Sequence, residues 1–168
     1  MKSLRFLAPV LLLLGGCAGY HLGPIKPTYM ADVKTIAVPV FKNDTLEPRI
    51  EVLITGAIIK QIQQDGTYRI ASADQADVVL EGTLKELRRH ASRSVRGNVL
   101  ATREFTDTIT IEYRLVRRDN GHEIDRHEVT GQTSFFVTGD LQQDERQALP
   151  LAAQDAAVRL VNQISEGW

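Results

Sequence analysis

The chain has 168 residues, 43% of them hydrophobic and 24% charged, with 20 basic and 21 acidic side chains for a net charge of −1. That length suits one domain with an appendage, large enough to hold a core without a metal or a disulfide. The even balance lacks the basic excess of a nucleic-acid binder, and a single cysteine excludes an intrachain disulfide.

In chain order, Lys2 and Arg5 precede an apolar run from Phe6 to Leu14, interrupted only by Pro9 and followed by Gly15 and Gly16. An apolar run this short falls well below the ~20 residues a helix needs to cross a bilayer, and the pattern is that of a secretory signal peptide. The ending "LGGC" resembles the lipobox of bacterial lipoprotein precursors. That resemblance implies cleavage before Cys17, a diacylglyceryl group on its sulfur and acylation of the new amino terminus. Several acyl chains hold a soluble domain on a membrane, where one binds only marginally. The alternative, a secreted protein with a free thiol, leaves an unpaired cysteine in an oxidising compartment. Alanine rather than aspartate follows the cysteine, which in such lipoproteins favours the outer membrane. The expected organisation is a signal peptide over 1–16, a lipidated Cys17 with an extended tether over 17–32, and a single domain over 33–168. Loss of residues 1–16 removes Lys2 and Arg5 and takes the net charge to −3.

"VKTIAVPV" (33–40) is a β-branched, buried strand that Pro39 ends or confines to an edge. A helix follows, with Asp44 or Thr45 as its cap, Pro48 in its first turn and Ile50, Leu53, Ile54, Ala57, Ile58 and Ile62 on one face; Gly66 stops it. "TYRIAS" is a short strand. "DVVLEGTLKEL" (77–87) alternates Val78, Leu80, Gly82 and Leu84 against Glu81, Thr83 and Lys85, and "EFTDTITIEYRLVRR" alternates Phe105, Ile109, Ile111, Tyr113 and Leu115 against polar neighbours. Asn120-Gly121 is a hairpin turn into a strand from about Glu123 to Val137. Its apolar residues change parity after Ile124, which predicts a bulge near 126–128. The last helix carries Leu149, Ala152, Ala153, Ala156, Ala157, Leu160, Val161 and Ile164 in one stripe, and either begins near Pro150 or starts near Gln142 and kinks there. The order β-α-β-β-β-β-α predicts an α+β fold: a two-layer sandwich, a mixed sheet with both helices packed on one face.

No catalytic or metal signature stands out. The four histidines, His21, His90, His122 and His127, share no ligand-like spacing, and neither a nucleophile elbow nor a phosphate loop is present. Asp74 and Asp77 suit a turn. An enzyme is not expected, nor a cofactor. Charge is concentrated in "RRHASRSVRGNVLATR" (88–103), with Arg88, Arg89, Arg93, Arg96 and Arg103 and no acid. This stretch is polar enough to connect two long strands. It is either a solvated, edge-protecting hairpin end or an anion site, since guanidinium forks match phosphate and carboxylate oxygens.

"CAGYHLG", then "VKTIAVPVFKNDTLEPRIEVLITGAIIKQIQQDGTYRI", "ADVVLEGTL" and a last helix ending "ISEGW" together resemble the LptE family of lipopolysaccharide-assembly lipoproteins of Gram-negative outer membranes. The resemblance implies a lipid-anchored, non-enzymatic protein that sits as a plug in the β-barrel LptD and assists lipopolysaccharide insertion into the outer leaflet. It makes lipopolysaccharide the expected ligand of Arg88, Arg89, Arg93 and Arg96, although the grouping of those four rests on charge alone. Ala18 between Cys17 and Gly19, and Pro150 in the last helix, depart from the family pattern. "KTIAVPVFKN" also resembles the opening strand of CsgG-like and penicillin-binding-protein-activator lipoproteins, which gives a scaffold or secretion-pore lipoprotein as the alternative.

Overall fold

The computed structural model describes residues 26–93 and 103–167, and of Arg93 and Arg103 the backbone alone. The expectations placed on residues 1–25, Cys17 among them, and on Arg96 lie outside the described residues.

Six strands and two long helices form a mixed sheet with one helical layer. The elements are β1 (Thr35–Ala37), β2 (Lys42–Asn43), α1 (Ile50–Asp65), β3 (Arg69–Ile70), β4 (Val78–Arg93), β5 (Arg103–Arg117), β6 (Glu123–Val137) and α2 (Leu141–Glu166). The strand order is β3-β1-β4-β5-β6, with β2 beside β4 further along. β1 runs parallel to both β3 and β4, β2 runs parallel to β4, and β4, β5 and β6 are antiparallel. The strand expected over 33–40 is the shorter β1, and the path along β4 resumes beyond it at β2. Pro39, without an amide to donate, falls in the break.

Ile50, Ile54, Ile58 and Ile62 of α1 and the whole expected stripe of α2 are buried in one core with Ile36, Val78, Leu80, Leu84, Ile109, Ile111 and Leu115 of the sheet. The alanines of α2 let its backbone approach the sheet: a Cβ at Gly131 of β6 would collide with the Ala152 carbonyl and with Ala156. Gly82 likewise leaves room for the Phe41 ring.

α2 takes the earlier of its two expected starts, whereas α1 starts later than expected. α2 begins at Leu141, capped by the Asp140 carboxylate accepting from the Gln142 and Gln143 amides, and it continues through Pro150. α1 begins later than expected, after Pro48. Its cap is Arg49 in a left-handed conformation (φ 67°) with no side-chain cap bond. Asn43 takes the organising role assigned to Asp44 or Thr45. Its Nδ2 donates to the Glu47 carbonyl and to Glu51, and its Oδ1 accepts from the Thr45 amide and hydroxyl.

Bulges also lie elsewhere than expected. In β6 the extra residue is Ile124, not a residue of 126–128. β4 carries two more, at Lys85 and Ser92, where its pairing with β5 slips by one. The slip at Lys85 inverts the alternation of the residues from there to the second slip at Ser92, because side chains point to opposite faces with a period of two. Before it Val78, Leu80 and Leu84 face the helices; beyond it Leu87 and Arg89 do. β4 also runs six residues past the expected end at 87, so Arg88 to Arg93 belong to strand rather than to a connection.

Candidate functional site

The chain enters and the arginines lie at opposite ends of β4. At the first end, Lys26 to Val33 is strapped down by several bonds. Lys26 Nζ donates to the Val33 carbonyl (2.6 Å) and sits 4.8 Å from the centre of the Tyr68 ring. Arg117 holds both oxygens of Asp32 at 2.7 Å, and this guanidinium keeps the Asp32 carboxyl below the usual range. The Tyr29 hydroxyl donates to Asp125 (2.9 Å), whose other oxygen lies 2.9 Å from His127 Nε2. Burial first, and then Asp125, push the Tyr29 phenol up to about 12. Asp77, expected to serve its own turn, instead accepts from the Lys34 and Thr35 amides at 2.9 Å and so ties the start of β1 to β4; those amides hold its pKa low.

At the far end, the arginines grouped by charge separate. Arg88 lies on the open face of the sheet, with its Nη2 2.8 Å from Glu86 and its side chain 68% exposed. Arg89, turned to the other face by the Lys85 bulge, reaches under α2. Its Nε is 3.5 Å from Asp107, and its Nη2 contacts Glu145. Asp107 is fully buried and Glu145 nearly so. Burial raises the Asp107 pKa, and Arg89 opposes the rise. Arg89 is thus bound internally to two acids. β4 reaches Arg93, and the backbone of Arg93 pairs with Glu104.

Asp107 escaped the sequence reading. Its position between Phe105 and Ile109 is a signal that could have found it, since an acid at core parity needs a buried partner. The groove bounded by Thr45, Leu46, Glu47, Lys85, Arg89 and Glu145 holds about 310 Å³ and is open to solvent. Leu46, on the loop organised by Asn43, is fully exposed at its rim.

The rest of the open face is a lattice of ion pairs. Arg114 meets Glu81 at 2.6 Å, and Arg126 meets Glu112 and Glu123 at 2.8 Å each. Such exposed pairs are screened by solvent and define a polar surface more than they stabilise it. Toward the far end the same face carries hydroxyls, with Thr106 2.8 Å from Ser134. Among the described residues no group of three or more His, Cys, Asp or Glu side chains converges in a way that could hold a metal, and no helix is long and apolar enough to cross a membrane.

Residues 33–164 match the LptE family, described as lipopolysaccharide-assembly. No curated protein matches the chain by sequence. Among solved structures, a dodecameric PelC variant from Paraburkholderia phytofirmans superposes with a TM-score of 0.54 at 14% identity, covering 86% of this chain and 96% of that one. A hypothetical protein from Chlamydia trachomatis gives 0.56 at 8% identity over 79% and 96%. A protein from Xanthomonas campestris gives 0.53 at 10% over 82% and 86%. These likenesses show the fold alone.

Proposed function

The chain belongs to the LptE lipopolysaccharide-assembly family, and from that membership we propose that it is a lipid-anchored outer-membrane protein that partners the β-barrel LptD in delivering lipopolysaccharide to the outer leaflet. In this reading it catalyses no reaction. Cys17 carries the anchor, and residues 17–32 lead from it to the domain.

The observation that carries the reading is the separation of the two ends. The chain enters beside Asp32 and Tyr29, near the start of β4, and the arginine stretch runs from Arg88 out to Arg93, the last residue of β4 and 15 residues beyond Val78. At ~3.3 Å per residue that is roughly 50 Å, enough to hold an anchor at the periplasmic side while the far end stands deep in a barrel lumen. Arg88, Arg93 and Arg96 are then the groups that meet the phosphates or acidic sugars of lipopolysaccharide. Arg89, the fourth of the set, holds the strand end against α2 through Asp107 and Glu145. Guanidinium forks suit such anions.

The test is purification of tagged chain from solubilised outer membranes. Recovery of a large β-barrel protein supports the reading, and a ring of identical subunits or a peptidoglycan enzyme in its place would overturn it. Cys17→Ser should leave the domain folded and the chain unanchored where no barrel is present.

A further inference from the structure

The hairpin between β5 and β6 turns on Asn120 and Gly121 (φ 69°), and Asn120 is exposed at its tip. The Asn120 carboxamide oxygen accepts from the His122 amide at 2.9 Å, which folds the side chain back over the peptide joining Asn120 to Gly121. Glycine at 121 has no Cβ to block approach to its nitrogen, and the space a Cβ would take is open. The turn also grips Arg117 by both backbone groups. The Gly121 amide donates to the Arg117 carbonyl at 2.9 Å, and the Arg117 amide donates to the His122 carbonyl at 2.8 Å. Arg117 is the residue whose guanidinium holds both oxygens of Asp32 and reaches the Tyr29 carbonyl at 3.4 Å. Other asparagines are placed differently. Asn43 commits both atoms of its carboxamide to Thr45, Glu47 and Glu51. Asn162 lies within α2, where the next amide belongs to the helix ladder, and Asn98 precedes the branched Val99.

We infer that Asn120 is a self-modifying site, which converts without an enzyme to isoaspartate and aspartate and thereby loosens the hold of Arg117 on the strap from Lys26 to Val33. In the first step the Gly121 nitrogen gives its proton to water and forms a bond to Asn120 Cγ. The Cγ–Nδ2 bond then breaks, and the nitrogen takes up a proton and leaves as ammonia. Negative charge develops on Oδ1 as the new bond forms, and the His122 amide already faces that oxygen. Water opens the resulting five-membered imide. Attack at Cγ restores the main chain as aspartate, whereas attack at the other carbonyl routes the chain through Cβ and Cγ as isoaspartate. Either product carries a new carboxylate next to Asp119, whose charge Arg117 already feels, and so competes with Asp32 for that guanidinium. Isoaspartate also adds a carbon to the chain between Arg117 and His122, so the two backbone bonds of the turn cannot both keep their lengths. The Gly121 amide must first release the Arg117 carbonyl, so the change waits on opening of the turn and is slow.

The experiment ages the full chain in detergent at pH 8 and at pH 6. It follows the tryptic peptide from Asp119 to Arg126 by mass spectrometry, with fragmentation that separates isoaspartate from aspartate. Asn120 should convert roughly ten-fold faster than Asn43 or Asn162, and faster at pH 8, where the attacking amide loses its proton more readily. Hydrogen exchange at the strap amides of Met30, Ala31 and Val33 should then run roughly ten-fold faster in the aged chain than in the fresh one. An aged Asn120→Ser chain should yield no acid at that position and keep its fresh protection. An Asn120 that stays an amide throughout, or that converts no faster than Asn43 and Asn162, would overturn the inference. So would a converted chain whose strap amides exchange as before. Both measurements are made on the chain alone, so their outcome is separate from the barrel reading, which stands or falls on co-purification.

Discussion

Arg89 stands 3.5 Å from the Asp107 carboxylate, which is wholly buried between the sheet and the first turns of α2. The same guanidinium contacts Glu145, so one partly exposed cation serves two buried acids. Arg89→Ala would leave both unpaired and should cost about 3 kcal/mol, the usual penalty for breaking a buried pair from one side. Arg88→Ala, one residue away on the open face, should change stability by less than about 0.5 kcal/mol. Urea melts of the two variants check the contrast; equal losses would refute the opposed faces.

Asp107 also gives a pH signature. Burial raises its folded-state pKa above the ordinary carboxyl value. The folded state therefore holds a proton that the unfolded chain has already released, and stability falls as pH rises from about 4 to the folded value. Asp107→Asn cannot ionise, so it should gain on the wild type across that window and match it below. A difference between the two that stays constant from pH 3.5 to 7 would contradict this.

Charge reversal at Arg88, Arg93 and Arg96 should weaken binding of lipopolysaccharide to the purified chain while leaving the melting temperature within a few degrees of wild type. Arg89→Glu should lower the melting temperature instead. Unaltered binding in the triple variant would remove the arginine stretch from the ligand site.

Gly131→Ala places a methyl where the Ala152 carbonyl and Ala156 already are. Lifting α2 to make room should cost about 1–3 kcal/mol, the range for overpacked cores. Differential scanning calorimetry would show it as a clear drop in melting temperature.

Arg49 has the opposite sign. A left-handed φ of 67° strains any residue with a Cβ. Arg49→Gly should stabilise by about 0.5–1 kcal/mol, even after the entropy glycine adds to the unfolded chain. Chemical denaturation is sufficient to measure it.

The two-layer architecture was legible because apolar spacing marks what faces a core. Ile50 to Ile62 and Leu149 to Ile164 repeat at helical spacing, and Val78 to Leu84 and Ile109 to Leu115 alternate. Failures gather where hydrophobicity is silent. Beyond Leu87 the residues of β4 are polar, so nothing in their pattern reports that pairing continues or that Lys85 inverts it. The start of α1 depends on an amide network around Asn43, which competes with ordinary capping residues in the same loop. The four arginines look like one cluster on a line of text. Adjacent positions on a strand point apart, so Arg88 lies on the open face beside Glu86 while Arg89 has Asp107 and Glu145 under it.

The extra residue at Lys85 has a consequence for how this strand can change length. Deleting it would close the bulge and leave every pairing as it is, because Leu84 and Glu86 already oppose the consecutive residues Ile111 and Thr110, and Arg89 would still face Asp107. Adding one residue between Leu87 and Arg88 would instead roll the outer half of β4 over, pressing Arg88 and His90 against α2 and leaving Asp107 and Glu145 facing neutral space. A single-codon deletion at Lys85 should therefore be tolerated where a single-codon insertion beyond Leu87 is not.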